Sequence, residues 1–285
     1  MTSSLVGSEM CIRDRAVLAT AWPYISFITK TVLQNNDRIP VISWLHAPVE
    51  EYAAAGFGGY ESLQWADFHF AISDYIYKKL EYNNLSKIYR VYNPISFFET
   101  DSKYFKTDKQ NQRLFYIGRI SPEKRIEVIL KALSLSTKSW NLYIVGEGET
   151  EYVQSLQNEV FRLKLSNRVS WLGWQKNPWK SAKSADAIVL ASEYEGMPLV
   201  LIEALACGKT VIATPTPGAV ELIVPGKTGY LFGYNDYEML AEILNALQQG
   251  QLPFMDGEHC KKQVMKYESH TALKDFEQKI YYCLK

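Results

Sequence analysis

Residues 114–135 read LFYIGRISPEKRIEVILKALSL, and this stretch decides the fold. Leu114–Ile117 is a short apolar run of strand type, Gly118–Arg125 a glycine-led basic loop, and Ile126–Leu135 carries apolar residues at helical spacing. A strand that enters a helix through a tight loop is half of a βαβ unit, and Trp140–Val145 supplies the second strand. Outward from there the alternation continues, with a helix over Glu151–Leu163, strands at Val169–Leu172 and Ala187–Ala191, a helix over Leu199–Cys207 and a strand at Thr210–Ala213. Toward the N-terminus, Val41–Leu45 and Phe68–Ile72 read as buried strands with a helix near Tyr60–Trp65 between them. Strands separated by helical periods imply parallel, doubly wound sheets, so the fold class is α/β. Ligands of such sheets bind outside the carboxyl ends of the strands, which directs attention to the loops after Ile117, Val145, Leu172, Ala191 and Ala213.

The chain has 285 residues, 47% of them apolar and 22% charged, enough for two ordinary domains. The polar stretch Thr100–Asn111 lacks apolar periodicity and marks the boundary, giving one domain over 16–105 and a second over 106–265, with a terminal helical segment over 266–285. Met1–Arg15 has neither periodicity nor the apolar centre of a signal peptide; LVGSEMCIRDR resembles translated sequencing-adapter sequence, and 1–15 is read as a non-native leader. Lysine plus arginine equal aspartate plus glutamate at 31 each, so no global positive field draws nucleic acid, and none is expected as a partner. The four cysteines are scattered and fit neither a zinc site nor a disulfide framework, which is the pattern of a reducing cytoplasm. No apolar run reaches the roughly 18–20 residues of a membrane span.

Two motifs fall in the predicted ligand loops. After Ile117 come Gly118 and Arg119, then Ser121-Pro-Glu-Lys124-Arg125 before a helix. Glycine permits close backbone approach, Pro122 suits a first helical turn, and Arg119 and Lys124, both expected at the surface, can converge on one anion; the alternative is a solvated basic loop capped by Ser121. After Ala191, Glu195-Gly196-Met197-Pro198-Leu199 leads into a helix that carries Glu203 within an apolar run, so its carboxylate faces a partner rather than bulk water. That partner is either a buried lysine or the hydroxyls of a ligand. Gly146-Glu-Gly148 starts like a dinucleotide fingerprint, yet Glu151 stands where the third glycine belongs and the flanking glutamates repel pyrophosphate, so a nicotinamide site is disfavoured. Trp171, Trp174 and Trp179 are read as core and domain-edge packing.

The Gly118–Arg125 string followed by Glu195-x7-Glu203, with Gly146-Glu-Gly148, Gly218–Glu221 and Pro225–Gly229 in order, resembles the donor site of retaining GT-B glycosyltransferases. The likeness covers Pro40–Leu284, and Ser43–His46, Trp65–Ser73, Tyr92–Pro94 and Gly173–Trp179 are similar to the branch that adds galactose to lipopolysaccharide core. The resemblance implies two Rossmann-like domains, the N-terminal one incomplete because relatives begin with further βα units, and a C-terminal helix packing back toward that domain. It implies that Arg119 and Lys124 clamp the donor diphosphate, Glu203 accepts from ribose hydroxyls and Glu195 from the transferred sugar. Backbone at Gly118, Gly146, Gly196, Met197, Pro198 and Leu199 would line the donor, the base would lie near Leu172, and His46 would touch the sugar. It further implies a UDP-sugar as donor substrate with no cofactor, a glycan or lipopolysaccharide acceptor, and a cytoplasmic location with peripheral contact at the inner membrane. No Asp-x-Asp occurs in the chain, so no metal is expected. The same motifs also suit another donor, such as UDP-glucose or GDP-mannose, or a nucleotide-sugar-binding fragment without turnover. An incomplete first domain would leave an open sheet edge near Val41–Leu45 and remove part of the docking surface of the terminal helix.

Overall fold

The chain builds two parallel sheets, and the computed structural model describes residues 16–20, 22–33, 39–97 and 111–285. One unit takes Met1–Ile95 with Lys266–Lys285, the other Ser96–Met265. The leader over 1–15 and most of the predicted boundary, Thr100–Asn111, lie outside the described residues.

In the first unit β1 (Val17–Thr20), β2 (Val41–Leu45), β3 (Phe68–Ala71) and β4 (Ile88–Arg90) stand side by side in chain order, all parallel. The crossovers are α1 (Pro23–Val32), then α2 (Val49–Ala54) with α3 (Tyr60–Leu63), then α4 (Asp74–Tyr82). Ser73 caps α4 by accepting from the Ile76 N–H at 3.3 Å. The expected open edge at Val41–Leu45 is absent, because β1 pairs with β2 from Val17 opposite Val41 to Thr20 opposite Trp44. Val41, Ile42 and Leu45 are accordingly fully buried. Across β2 and β3, Ser43 Oγ and His69 Nδ1 are 2.8 Å apart inside the sheet, and burial pushes the His69 imidazole down to about 4.

The second unit holds β5 (Gln112–Ile117), β6 (Trp140–Val145), β7 (Val169–Gly173), β8 (Ala187–Leu190), β9 (Thr210–Ala213) and β10 (Gly229–Leu231). Its helices are α5 (Ile126–Leu135), α6 (Thr150–Arg162), α7 (Pro178–Ala182), α8 (Leu199–Ala206), α9 (Pro217–Leu222), α10 (Tyr237–Gln249) and α11 (Gly257–Val264). The parallel strand order is β10-β9-β8-β5-β6-β7. The chain therefore runs outward from β5 to β7, returns to the other side of β5 as β8, and runs outward again. The reversal between β5 and β8 is the switch point at which the loops diverge and a crevice opens.

After α11 the chain rejoins the first unit as α12 (Ser269–Cys283). Phe276 seats its ring 5.0 Å from Trp44 and 5.4 Å from Phe70, and Ala272 and Cys283 are buried, whereas Leu273 is exposed. Among the described residues no helix is long and apolar enough to cross a membrane. Cys207, Cys260 and Cys283 are free and buried, and burial raises each thiol, to about 11, 12 and 11.

Candidate donor-binding site

The backbone of β5 and β6 keeps pairing beyond the strand ends, with the Gly118 N–H on Val145 O at 3.0 Å and the Ile120 N–H on Glu147 O at 2.8 Å. A Cβ at Gly146 would stand 1.8 Å from Gly118 O, and one at Gly148 1.8 Å from Ile120 O. Gly146-Glu-Gly148 thus exists because two loop backbones touch, which accounts for the glycines without a dinucleotide. The Tyr116 hydroxyl donates to Arg119 O at 2.5 Å, and burial raises the pKa of this phenol and keeps it protonated as the donor. With its backbone held there, the Arg119 side chain remains 74% exposed, 3.8 Å from Glu123.

Pro122–Lys124 forms a single 3-10 turn rather than the start of the α-helix, and Arg125 then takes a left-handed conformation (φ 51°, ψ 44°) before α5 begins. Ser121 does not cap the helix; its hydroxyl donates to Glu123 Oε1 at 2.6 Å. The turn aims Lys124 across the switch point, where Nζ meets Glu195 Oε1 at 2.7 Å with the two side chains only 16% and 19% exposed. Lys124 is therefore a half-buried ion-pair member and not the surface cation expected from sequence. The Ser192 hydroxyl donates to the same Glu195 oxygen at 2.9 Å, and Thr214 Oγ1 donates to Ser192 O at 2.6 Å. The Glu193 N–H on Glu123 O at 2.9 Å ties the two loops through their backbones. Arg125 reinforces the tie from outside, reaching Glu127, Glu193 and Asn235 at 3.3, 3.1 and 2.9 Å.

Gly196, Met197 and Pro198 are buried and Leu199 is exposed at the start of α8. Gly218, at the start of α9, allows that approach: a Cβ there would stand 2.6 Å from Pro198 and 2.8 Å from Gly196 O. Glu203, on α8, accepts from the Trp179 indole N–H at 2.8 Å through Oε2, and burial raises its pKa while that hydrogen bond opposes the rise. Of the two partners open from sequence, the lysine is not the one found. Trp179 is 6% exposed.

A cavity of about 1050 Å³ opens outside β5, β6 and β7, lined among others by Gly118, Arg119, Gly146, Tyr152, Trp174 and Pro178. Lys124, Glu195 and Glu203 do not line it; Lys124 directly follows Glu123 of the lining, and Trp179, the hydrogen-bond partner of Glu203, directly follows Pro178. Trp174 is 65% exposed at this cavity, which corrects its reading as packing. Leu172 is exposed on β7 outside the lining. His46 belongs to the first unit, where it follows β2, donates its backbone N–H to Tyr52 Oη at 3.3 Å and lies 5.0 Å from the Trp44 ring; desolvation lowers its pKa.

Taken together, the second unit offers an exposed guanidinium at the cavity, a shielded ammonium–carboxylate pair between the loops after β5 and β8, and a second carboxylate, Glu203, whose pKa burial raises. That set suits a ligand with an anionic centre flanked by hydroxyl-rich groups, because each charge-assisted hydrogen bond contributes about 1.5–3 kcal/mol. Sequence reasoning missed Ser192, Thr214 and the roles of Arg125 and Trp179. Only Arg125, adjacent to Lys124, carried any signal of its own.

Residues 97–264 match the family model described as Glycosyl transferases group 1. The lipopolysaccharide 1,6-galactosyltransferase of Escherichia coli K12 is 28% identical over 238 residues, 79% of this chain and 63% of that protein. The chain thus spans less than two thirds of the length of that relative. Among solved structures, the apo form of the lipopolysaccharide outer core galactosyltransferase WaaB is similar at a TM-score of 0.82 with 24% identity, over 94% of this chain and 75% of the other. The Anabaena protein HepE, in complex with UDP-glucose, is similar at 0.75 with 21% identity, over 93% and 78%. The two parallel-sheet α/β units are those of the GT-B fold.

Proposed function

The chain belongs to the glycosyl transferases group 1 family, and from that premise we propose that it transfers a hexose, galactose in the first instance, from a UDP-sugar to a lipopolysaccharide core or related glycan. The observation that carries this reading is the Lys124–Glu195 pair beside Arg119 at the switch point. It sets a cation for the diphosphate next to a carboxylate for the sugar hydroxyls, at one oxygen's reach. Arg119 and Lys124 neutralise the charge that develops as the sugar C1–O bond to the diphosphate breaks. Glu195 orients the sugar, Glu203 takes the ribose hydroxyls, and the acceptor oxygen forms the new bond to C1 while its proton passes to a donor phosphate oxygen. With attack and departure on one face, configuration is retained. Similarity to the lipopolysaccharide 1,6-galactosyltransferase supports galactose and lipopolysaccharide, and UDP-glucose on HepE supports the uridine donor. That acceptor is lipid-borne, so the reading includes peripheral contact with a membrane, and the free cysteines Cys207, Cys260 and Cys283 fit the cytoplasmic side of the inner membrane.

The test is release of UDP and labelling of acceptor when the protein meets UDP-galactose and a glucosylated lipopolysaccharide core. Transfer should be seen with the wild type and fall at least a hundredfold with Glu195→Gln, on the order of 3 kcal/mol of lost positioning. Absence of transfer from every UDP-sugar would remove the assignment, and transfer from GDP-mannose alone would move it to another donor.

A further inference from the structure

Trp179 is the second residue of α7, a helix of five residues directly after the β7 loop. A buried tryptophan needs a partner for its N–H, and the one it finds is the carboxylate of Glu203, 24 residues away on α8, at 2.8 Å. Glu203 is half-buried on α8, flanked in sequence by Leu201, Ile202, Ala204 and Leu205, which are fully buried, and burial disfavours its charged form. A carboxylate in such surroundings has two difficulties: it is pushed toward the neutral acid, and nothing apolar fixes its rotamer. The indole addresses both, because a donor on Oε2 favours the charged form and leaves Oε1 as the free acceptor. Pro178, one residue before, lines the cavity beside Gly118 and Arg119. The same short helix therefore forms a wall of the cavity and grips the acid at its side.

We propose that Trp179 is a positioning residue for nucleotide recognition, holding Glu203 ionised and oriented so that its free oxygen accepts from the ribose hydroxyls of the donor. This rests on the ribose role assigned to Glu203 above. The indole does not touch the nucleotide; it sets how strongly the protein distinguishes a ribonucleotide from its deoxy counterpart. Trp179→Phe removes the N–H and keeps most of the ring, whereas Trp179→His keeps an N–H on a smaller ring.

Binding of UDP and of 2′,3′-dideoxy-UDP is measured calorimetrically for wild type, Trp179→Phe, Trp179→His and Glu203→Gln. The preference of the wild type for UDP should fall about tenfold in Trp179→Phe, the scale of one hydrogen bond to a charged group, with affinity for the dideoxy nucleotide nearly unchanged and Trp179→His regaining part of the preference. In Trp179→Phe the loss of UDP affinity on acidification should also begin at higher pH than in wild type. Unchanged preference in Trp179→Phe while Glu203→Gln loses it overturns the positioning role alone. Unchanged preference in Glu203→Gln overturns the ribose role and the positioning role with it. Should Trp179→Phe not fold, the indole proton resonances of the intact protein decide: one of them must shift as a carboxyl titrates, and that shift must vanish in Glu203→Gln. No such resonance means no grip.

Discussion

Replacing Lys124 by methionine separates the two roles that the switch-point geometry gives it. The methionine side chain keeps the length and apolar stem, so the loss is the ammonium that lies 2.7 Å from Glu195, in a pair whose side chains are 16% and 19% exposed. Breaking a fully buried pair costs about 3–5 kcal/mol, since the remaining charge is stranded; an exposed pair contributes about 0–1. Glu195 keeps the Ser192 hydroxyl at 2.9 Å and some solvent, so the intermediate figure of about 2 kcal/mol is expected. For a unit of this size that corresponds to a fall of roughly 4–8 °C in melting temperature. Arg119→Ala is the internal control, because its side chain is 74% exposed and exposed substitutions stay within about 0.5 kcal/mol. Both variants should weaken UDP by tenfold or more. Adding Glu195→Gln to Lys124→Met should recover about half of the lost stability, because the stranded charge disappears. Differential scanning calorimetry with and without UDP reads both quantities. Equal melting temperatures for Lys124→Met and Arg119→Ala, or no recovery in the double variant, would refute the ion-pair reasoning.

Three further outcomes test other parts of the structure. Gly148→Ala drives a Cβ to 1.8 Å from the Ile120 carbonyl oxygen, so a loss of more than about 2 kcal/mol is expected in urea unfolding; an unperturbed midpoint would show that the β5 and β6 loops are not packed as described. His69 sits at about 4 in the folded chain against 6.5 as an ordinary histidine. Since the unfolded chain binds the proton first, this stability is fully present above pH 6.5, falls by about 2 kcal/mol at pH 5 and is lost completely below pH 4. Comparison of wild type with His69→Asn over that range should isolate the slope, and identical slopes would contradict it. Finally, Arg125→Lys should lower UDP affinity less than Arg125→Ala, because one cation can still reach Glu193 from the left-handed turn (φ 51°) whereas a methyl cannot; equal losses in a calorimetric titration would show that Arg125 does not tie the two loops.

What was legible in the sequence follows from burial. Strands of the second unit such as Ala187–Leu190 and Thr210–Ala213 are buried on both faces and read as unbroken apolar runs. β4, Ile88-Tyr-Arg90, is half-buried along its whole length and gave no such run, and β1 is only four residues long beside the supposed leader. Missing β1 produced the false edge at Val41–Leu45. The motif residues of the crevice were found because their glycine, proline and charge spacing is local. Their pairings were not, since Lys124 and Glu195 lie 71 residues apart and Trp179 and Glu203 lie 24 apart. Nothing in a tryptophan's sequence context separates one that plugs a core, one that grips a carboxylate and one that stands exposed at a cavity, as Trp174 does. Lys124 was misjudged for the same reason, because a lysine in a basic loop is ordinarily solvated and only the fold supplies the glutamate that covers it.

The most direct measurement is calorimetric titration of the intact chain with UDP, GDP, ADP and NADH under identical conditions, repeated on Arg119→Ala. A donor site at the β5–β8 switch point predicts that UDP binds more tightly than the other three, that saturation at a hundred times its dissociation constant adds about 2.7 kcal/mol of stability, and that Arg119→Ala loses at least tenfold in UDP affinity. Equal affinity for all four nucleotides, or UDP binding indifferent to Arg119, would contradict it.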